Sequence, residues 1–174
     1  MEVVKGPDCR EEERISRLIK TYEKDLLRLC CVMLKDAAMA EDAVQETFIK
    51  AYRNLHAFRG DSSEKTWLIR IAINVCRDMR RTAWFRNIGR MVSLNEVELA
   101  QKQELDVSSA LIGEIMRLPE KYKEVILLHY YEGLNQSEIA GILRVSPATV
   151  HRRLIKARAL LKELLEGGNG LEAG

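Results

Sequence analysis

Between Ile142 and Lys162 stand six Lys or Arg (Arg144, Arg152, Arg153, Lys156, Arg158, Lys162) and no Asp or Glu. Cationic groups at that density neutralise phosphates, and the arginine fork also matches the donor and acceptor pattern of base edges. Spacing decides which face they occupy. On a helix running from Pro147 to about Glu166, Val150, Leu154, Ala157 and Leu161 fall on one side. Ala148, Arg152 and Lys156 fall almost opposite, flanked by Thr149 and His151, with Arg153 nearer the apolar edge. Ser146 is a strong N-cap and Pro147 suits the first helical position. A short helix with Ile139, Ala140, Ile142 and Leu143 precedes it, opened by Asn135 or Gln136 and closed by a turn at Arg144-Val145. This is helix-turn-helix anatomy, in which the second helix enters a major groove of duplex DNA. A solvated basic face is the competing reading, but cap, turn and charge all agree with a DNA-reading helix.

A second basic run lies far upstream. From Lys65 to Arg90 there are seven basic residues (Lys65, Arg70, Arg77, Arg80, Arg81, Arg86, Arg90), and Asp78 is the one acid. Phe58, Trp67, Trp84 and Phe85 are nearby, and the polar loop Gly60-Asp61-Ser62-Ser63 opens the run. Aromatic rings and polar loops beside basic helices suit a single strand whose unstacked base needs a pocket. Trp67 also fits a plain core position. A third cluster, Glu41, Asp42, Gln45 and Glu46, crowds the first turns of another helix, where acids complement the helix dipole. No P-loop, GxGxxG, HExxH or nucleophile–base set is present, so an enzyme is not expected. No metal or cofactor site is expected either: Cys9, Cys30, Cys31 and Cys76 lack CxxC spacing, and His56, His129 and His151 are scattered.

The elements that position these groups follow from periodicity. Ile15, Leu18, Ile19, Tyr22, Leu26, Cys30 and Met33 predict a helix over about 11–34. Lys35-Asp36 breaks it, and Asp36 caps a second helix over 37–55 whose apolar face holds Ala40, Val44, Phe48, Ala51, Tyr52 and Leu55. Ser62 or Ser63 caps a third, from Glu64 to about Arg81 or slightly beyond, with Trp67, Leu68, Ile71, Ala72, Val75 and Met79 inward. Periodicity fades from about 82 to 107. It returns at Ser108, with Leu111, Ile115 and Leu118 forming one stripe. Pro119 starts a helix that sets Tyr122, Val125, Ile126, Leu128 and His129 near the core, and Gly133 stops it.

Composition agrees with an all-α protein of two small domains. Apolar residues make up 47% of the 174, with ten Gly and three Pro. A first domain spans 11–85, a linker that turns acidic toward its end spans 86–107, a second domain spans 108–166, and a disordered tail spans 167–174. The formal charge of +2 hides the local patches. No signal peptide or membrane-spanning run is visible, so a cytoplasmic chain with reduced, mostly core thiols is expected.

The run AEDAVQETFIKAYRNLHAFRGDSSEKTWLIRIAINVCRDMRR resembles region 2 of bacterial extracytoplasmic-function (ECF) sigma factors, of the sigma-70 family. LPEKYKEVILLHYYEGLNQSEIAGILRVSPATVHRRLIKARALL resembles their region 4. That resemblance covers nearly the whole chain and implies a factor that binds core RNA polymerase and directs promoter-specific initiation. It implies that Asp42, Gln45, Glu46 and Phe48 dock on the clamp helices of the largest polymerase subunit, while region 4 meets the flap of the second largest. It implies that the loop with Phe58, Asp61, Ser62 and Ser63, followed by Lys65, Asn74 and Arg77, captures an extruded base of the minus-ten element. Arg80 and Arg81 would hold phosphates nearby. Ser146, Ala148, Thr149, Arg152, Arg153 and Lys156 would read the minus-thirty-five duplex. An anti-sigma protein, often membrane-bound, is a further implied partner. Housekeeping relatives carry two adjacent tryptophans where this chain has Trp67 and Leu68, which implies an incomplete aromatic wedge for strand separation. The alternative is an autonomous helix-turn-helix regulator, which would leave residues 40–81 unexplained.

Overall fold

The computed structural model describes residues 9–86 and 109–168. Every regular element among them is helical, and the chain divides into two compact units, one on each side of the stretch between those ranges. The expected linker therefore lies outside the described residues, apart from Arg86.

In the first unit α1 spans Cys9–Leu34, α2 Ala37–Arg53 and α3 Glu64–Arg86, with a 3₁₀ turn at Leu55–Ala57. Lys35 takes a left-handed conformation (φ 57°), and Asp36 accepts a 2.7 Å hydrogen bond from the Met39 N–H, so one helix ends and the next is capped within two residues. The second helix stops short of the expected Leu55. The Asn54 side chain donates to the Lys50 carbonyl at 2.8 Å, and Leu55 turns inward to become buried in the 3₁₀ segment. Ala40, Ala43 and Ala51 are fully buried, and these small residues let α2 lie close against both α1 and α3. Leu18, Leu26, Leu29, Cys30 and Met33 meet them from α1. The buried arc of α3 is broader than its expected face. Leu68, Ala72 and Val75 are buried as expected, but so are Thr66, Ile69, Ile73 and Cys76, whereas Trp67 and Ile71 are half-buried. A helix covered by two neighbours buries more than a single stripe. All four cysteines are free thiols, and Cys30 and Cys76 face each other in the core with sulfurs 3.6 Å apart.

In the second unit α4 spans Ser109–Arg117, α5 Glu120–Ile126, α6 Gln136–Leu143 and α7 Pro147–Gly168. Pro119 is the extended N-cap of α5 rather than its first residue. Beyond Ile126 the helix widens into a π segment, Leu127–Tyr131, in which the Glu132 N–H reaches back to the Leu127 carbonyl. Six consecutive residues, Lys123 to Leu128, are buried, which makes this the central helix of the unit. Two of them are charged, and Lys123 binds Glu120 at 2.5 Å. Asn135, not Gln136, caps α6, through a reciprocal capping box with Glu138 at 3.0 and 2.9 Å. The last helix continues through Gly168, two residues into the expected tail; residues 169–174 lie outside the described range.

The turn between α6 and α7 rests on Arg144 in the left-handed region (φ 56°, ψ 47°), with the Val145 N–H bonded to the Ala140 carbonyl at 3.1 Å. Glycine has no Cβ penalty there, whereas an L-residue such as arginine loses about 1–2 kcal/mol. Glycine's larger unfolded-state entropy returns part of that. Arg144→Gly is therefore expected to stabilise the second unit by about 0.5–1 kcal/mol, read as an upward shift of a few degrees in its melting transition. A transition lowered by several degrees would instead show that the arginine side chain supplies contacts that outweigh the backbone gain.

Candidate nucleic-acid and polymerase surfaces

The outward side of α7 carries most of the expected readers. Val150, Leu154 and Ala157 are buried; Ala148, His151, Arg152 and Lys156 are exposed; Thr149 and Arg153 are intermediate. Ser146 does more than cap. Its Oγ accepts from the Thr149 N–H at 3.1 Å and lies 2.9 Å from the Thr149 hydroxyl, which in turn accepts from Nη2 of Arg152 at 3.3 Å. A chain of polar groups thus leads from the cap to the guanidinium. Gln136 Nε2 approaches His151 Nδ1 at 3.5 Å, joining the start of the supporting helix to the first turns of the reading helix. Ile155 is 49% exposed and shares the outward stripe with Ala148 and Arg152 at four- and three-residue steps. It was not among the expected readers; the signal was an apolar residue at outward spacing.

The loop before α3 is held at both ends. Phe58 is half-buried, with its ring centroid 4.9 Å from that of Trp67 and the Arg14 guanidinium carbon 5.2 Å from it. Gly60 adopts φ 79°, which glycine tolerates. Asp61 and Ser63 are exposed, and Ser62 is intermediate. Of the two candidate caps it is Ser63 that closes α3: its Oγ accepts from the Thr66 N–H at 3.0 Å and pairs with the Thr66 hydroxyl at 2.8 Å. Glu64 takes hydrogen bonds from Arg14 (3.0 and 3.2 Å) and Arg17 (2.8 and 3.0 Å). The Arg17 hydrogen bond, reinforced by Arg14, holds its carboxyl below the ordinary carboxylate range against a smaller opposing effect of burial.

Along α3, Trp67, Arg70, Asn74, Arg77 and Arg81 follow one another at three- and four-residue steps and define the stripe away from the core. Arg70 and Arg81 are exposed, and the other three are half-buried. Arg81 pairs with Asp78 at 3.3 Å on the open surface, where such a pair contributes little. Arg80 departs from expectation. It follows Ile69, Ile73 and Cys76 on the inward side, and although the residue is half-buried like Asn74 and Arg77, its Nη1 is buried, whereas Arg81 is exposed. Arg70, which was not among the expected site residues, also stands exposed on the outer stripe; the regular steps from Trp67 to Arg81 were the available signal. Lys65 is half-buried at the start of the helix, off that stripe. Leu68 is fully buried, so the position beside Trp67 is core.

On α2, Asp42 and Gln45 are exposed, and Glu46 is half-buried with Lys50 at 3.7 Å. Phe48 is 8% exposed and belongs to the core, because its spacing from Val44 and Ala51 sets it on the inward face. The apolar group that does share the outward stripe with Asp42 and Gln45 is Ile49, 46% exposed. No helix among the described residues is long and apolar enough to cross a membrane.

Residues 18–86 match the family model of Sigma-70 region 2, and residues 108–161 that of Sigma-70, region 4. The RNA polymerase sigma-H factor of Pseudomonas aeruginosa is 32% identical over 164 residues, 86% of this chain and 84% of that protein. The ECF RNA polymerase sigma factor SigM of Bacillus subtilis is 32% identical over 160 residues, 88% of this chain and 96% of that one. The fold is also that of the sigma factor RpoE of Bartonella quintana, solved with the anti-sigma factor NepR, at a TM-score of 0.74 and 22% identity over 88% of this chain and 98% of that chain. CnrH, solved with the cytosolic domain of CnrY, aligns at a TM-score of 0.68 and 26% identity over 90% of each chain. Both helical units are accounted for, in order, along the length of curated relatives: the chain belongs to the ECF group of the sigma-70 family of RNA polymerase sigma factors.

Proposed function

We propose a division of labour by which this sigma factor directs promoter-specific initiation. The outward face of α2, with Asp42, Gln45 and Ile49 and with Glu46 at its edge, docks on the clamp helices of core polymerase. The loop from Phe58 to Ser63 and the outer stripe of α3, centred on Asn74, capture an unstacked base of the non-template minus-ten strand, with Arg70, Arg77 and Arg81 beside its phosphates. The start of α7 reads the minus-thirty-five duplex through Thr149, Arg152 and Lys156, with Arg153 at its edge, and the second unit meets the polymerase flap. Residues 11–85 and 108–166 act as separate DNA-binding domains, and 86–107 as the linker that lets polymerase hold both at once. The second contact then becomes effectively intramolecular, so two small surfaces suffice. Binding free energy from this chain opens the DNA, while polymerase performs the bond chemistry. That work places the protein in the cytoplasm, and the anti-sigma partners of its solved relatives support an anti-sigma protein as its inhibitor.

The observation that carries this reading is a capped loop beside an outward Arg–Asn–Arg stripe in the same chain as a capped basic helix-turn-helix. Run-off transcription with core polymerase over a promoter library tests it. The expected result is a shared pair of elements, upstream and minus-ten, giving transcripts only when chain and core are both present. Tight binding of a palindromic duplex without polymerase, and no promoter-specific transcript with it, would instead identify an autonomous regulator.

A further inference from the structure

The loop proposed above to capture a base is braced by a helix with no assigned part in DNA recognition. Arg14 and Arg17 stand on α1, more than forty residues before the loop, yet both converge on Glu64, the first residue of α3. Arg14 does two things at once. Its Nε and Nη2 both reach Oε1 of Glu64, and its guanidinium also lies 5.2 Å from the centre of the Phe58 ring. Phe58 in turn packs on Trp67, one helical turn into α3. Phe58 and Glu64 flank the loop on its two sides, so a single guanidinium touches both of its ends. Between them lies Gly60, which has no Cβ and so restricts the backbone of the loop least.

Stability is a poor explanation for this cluster. The Arg14 and Arg17 side chains are 35% and 55% exposed, so solvent screens much of what even this three-charge network contributes to folding. Geometry is a better one. Planar guanidinium groups donating to a carboxylate fix orientation as well as distance. A loop ordered beforehand avoids the entropy cost of ordering when the strand arrives. We propose that Arg14, assisted by Arg17, is a positioning residue for the minus-ten pocket: it clamps Phe58 and Glu64 together so that the loop between them presents a fixed receptor for one base. This rests on the base-capture reading given above.

The test uses holoenzyme assembled from core polymerase and the full chain. It is titrated with single-stranded non-template minus-ten DNA of a promoter from the run-off selection, with each position changed in turn to every other base or to an abasic residue. Wild type is expected to prefer one base at one position. Arg14→Gln removes the charge pair and the ring contact together. It is expected to lower that preference about tenfold, the scale of one base-stacking contact, while affinity for the abasic strand stays the same. Arg14→Lys keeps a charge beside Glu64 without a plane over Phe58, and it is expected to fall in between; it also carries the test alone if Arg14→Gln melts the first unit. A merely structural role would lower affinity for abasic and intact strands alike, and that result overturns the proposal. So does full retention of the preference by both variants. Absence of any one-position preference in wild type would overturn the base-capture reading itself, and the clamp with it.

Discussion

Ile49→Asp is expected to lower affinity for core polymerase by about 2–3 kcal/mol, roughly thirty- to a hundred-and-fiftyfold, without loss of helicity. The residue is 46% exposed on the stripe that carries Asp42 and Gln45, and its side chain is not needed by the core of the first unit. In a docked interface an apolar group at that place would be covered. A carboxylate there would be taken out of water, one helical turn from Glu46 on the same acidic face, and both effects oppose binding. Replacing Asp42 and Gln45 together by Ala is a milder change, because rim polar groups chiefly affect encounter rate and its salt dependence. Phe48 is the instructive contrast. At 8% exposure in the core, Phe48→Ala leaves a cavity and costs about 3–5 kcal/mol of folding stability, so lost polymerase binding in that variant would say nothing about contact. Competition binding to labelled core polymerase, with circular dichroism in parallel, separates the cases. Unchanged core affinity for a well-folded Ile49→Asp chain would remove α2's outer face from the docking surface.

The difference between Phe48 and Ile49 shows where sequence reasoning stopped. Helix positions were legible because Asp36, Ser63, Asn135 and Ser146 are strong caps and the apolar residues recur at helical spacing. Faces were harder to assign. A three-helix unit buries α3 on two sides, so one wheel cannot separate Arg80, which continues the Ile69–Ile73–Cys76 stripe, from Arg81, which does not. In α5 the problem is sharper. From Lys123 on the helix is buried all round, Lys123 and Glu124 included, and the π segment after it shifts the register by one residue. Neither leaves a mark in hydrophobic periodicity. The Arg14–Glu64–Phe58 cluster was also invisible, because it joins residues fifty and forty-four positions apart, and only the antiparallel return of the chain brings them together.

On the surface proposed to read the upstream duplex, Arg152 is exposed and its guanidinium is held by the Thr149 hydroxyl. Arg152→Ala is expected to weaken binding of the upstream duplex by about 1–3 kcal/mol and to relax preference at one base pair, the mark of a base-edge contact. Thr149→Val keeps the helix cap, because the backbone N–H still donates to Ser146, but removes the hydroxyl that accepts from the guanidinium. It should relax the same base pair by a smaller amount. Two independent contacts would relax two different base pairs instead. Arg158→Ala supplies the control: this exposed residue lies nearly two turns further along α7, away from the cap, where a basic side chain is expected to meet phosphate rather than a base edge. It should lower affinity for all duplexes alike and flatten the dependence on salt. These profiles are read by titrating holoenzyme with duplexes changed one base pair at a time, at two salt concentrations. If Arg152→Ala behaves as Arg158→Ala is expected to, with a uniform loss and a flatter salt slope, then Arg152 holds the backbone. Base choice at the upstream element would pass to its outward neighbours, Lys156 and the exposed Ile155.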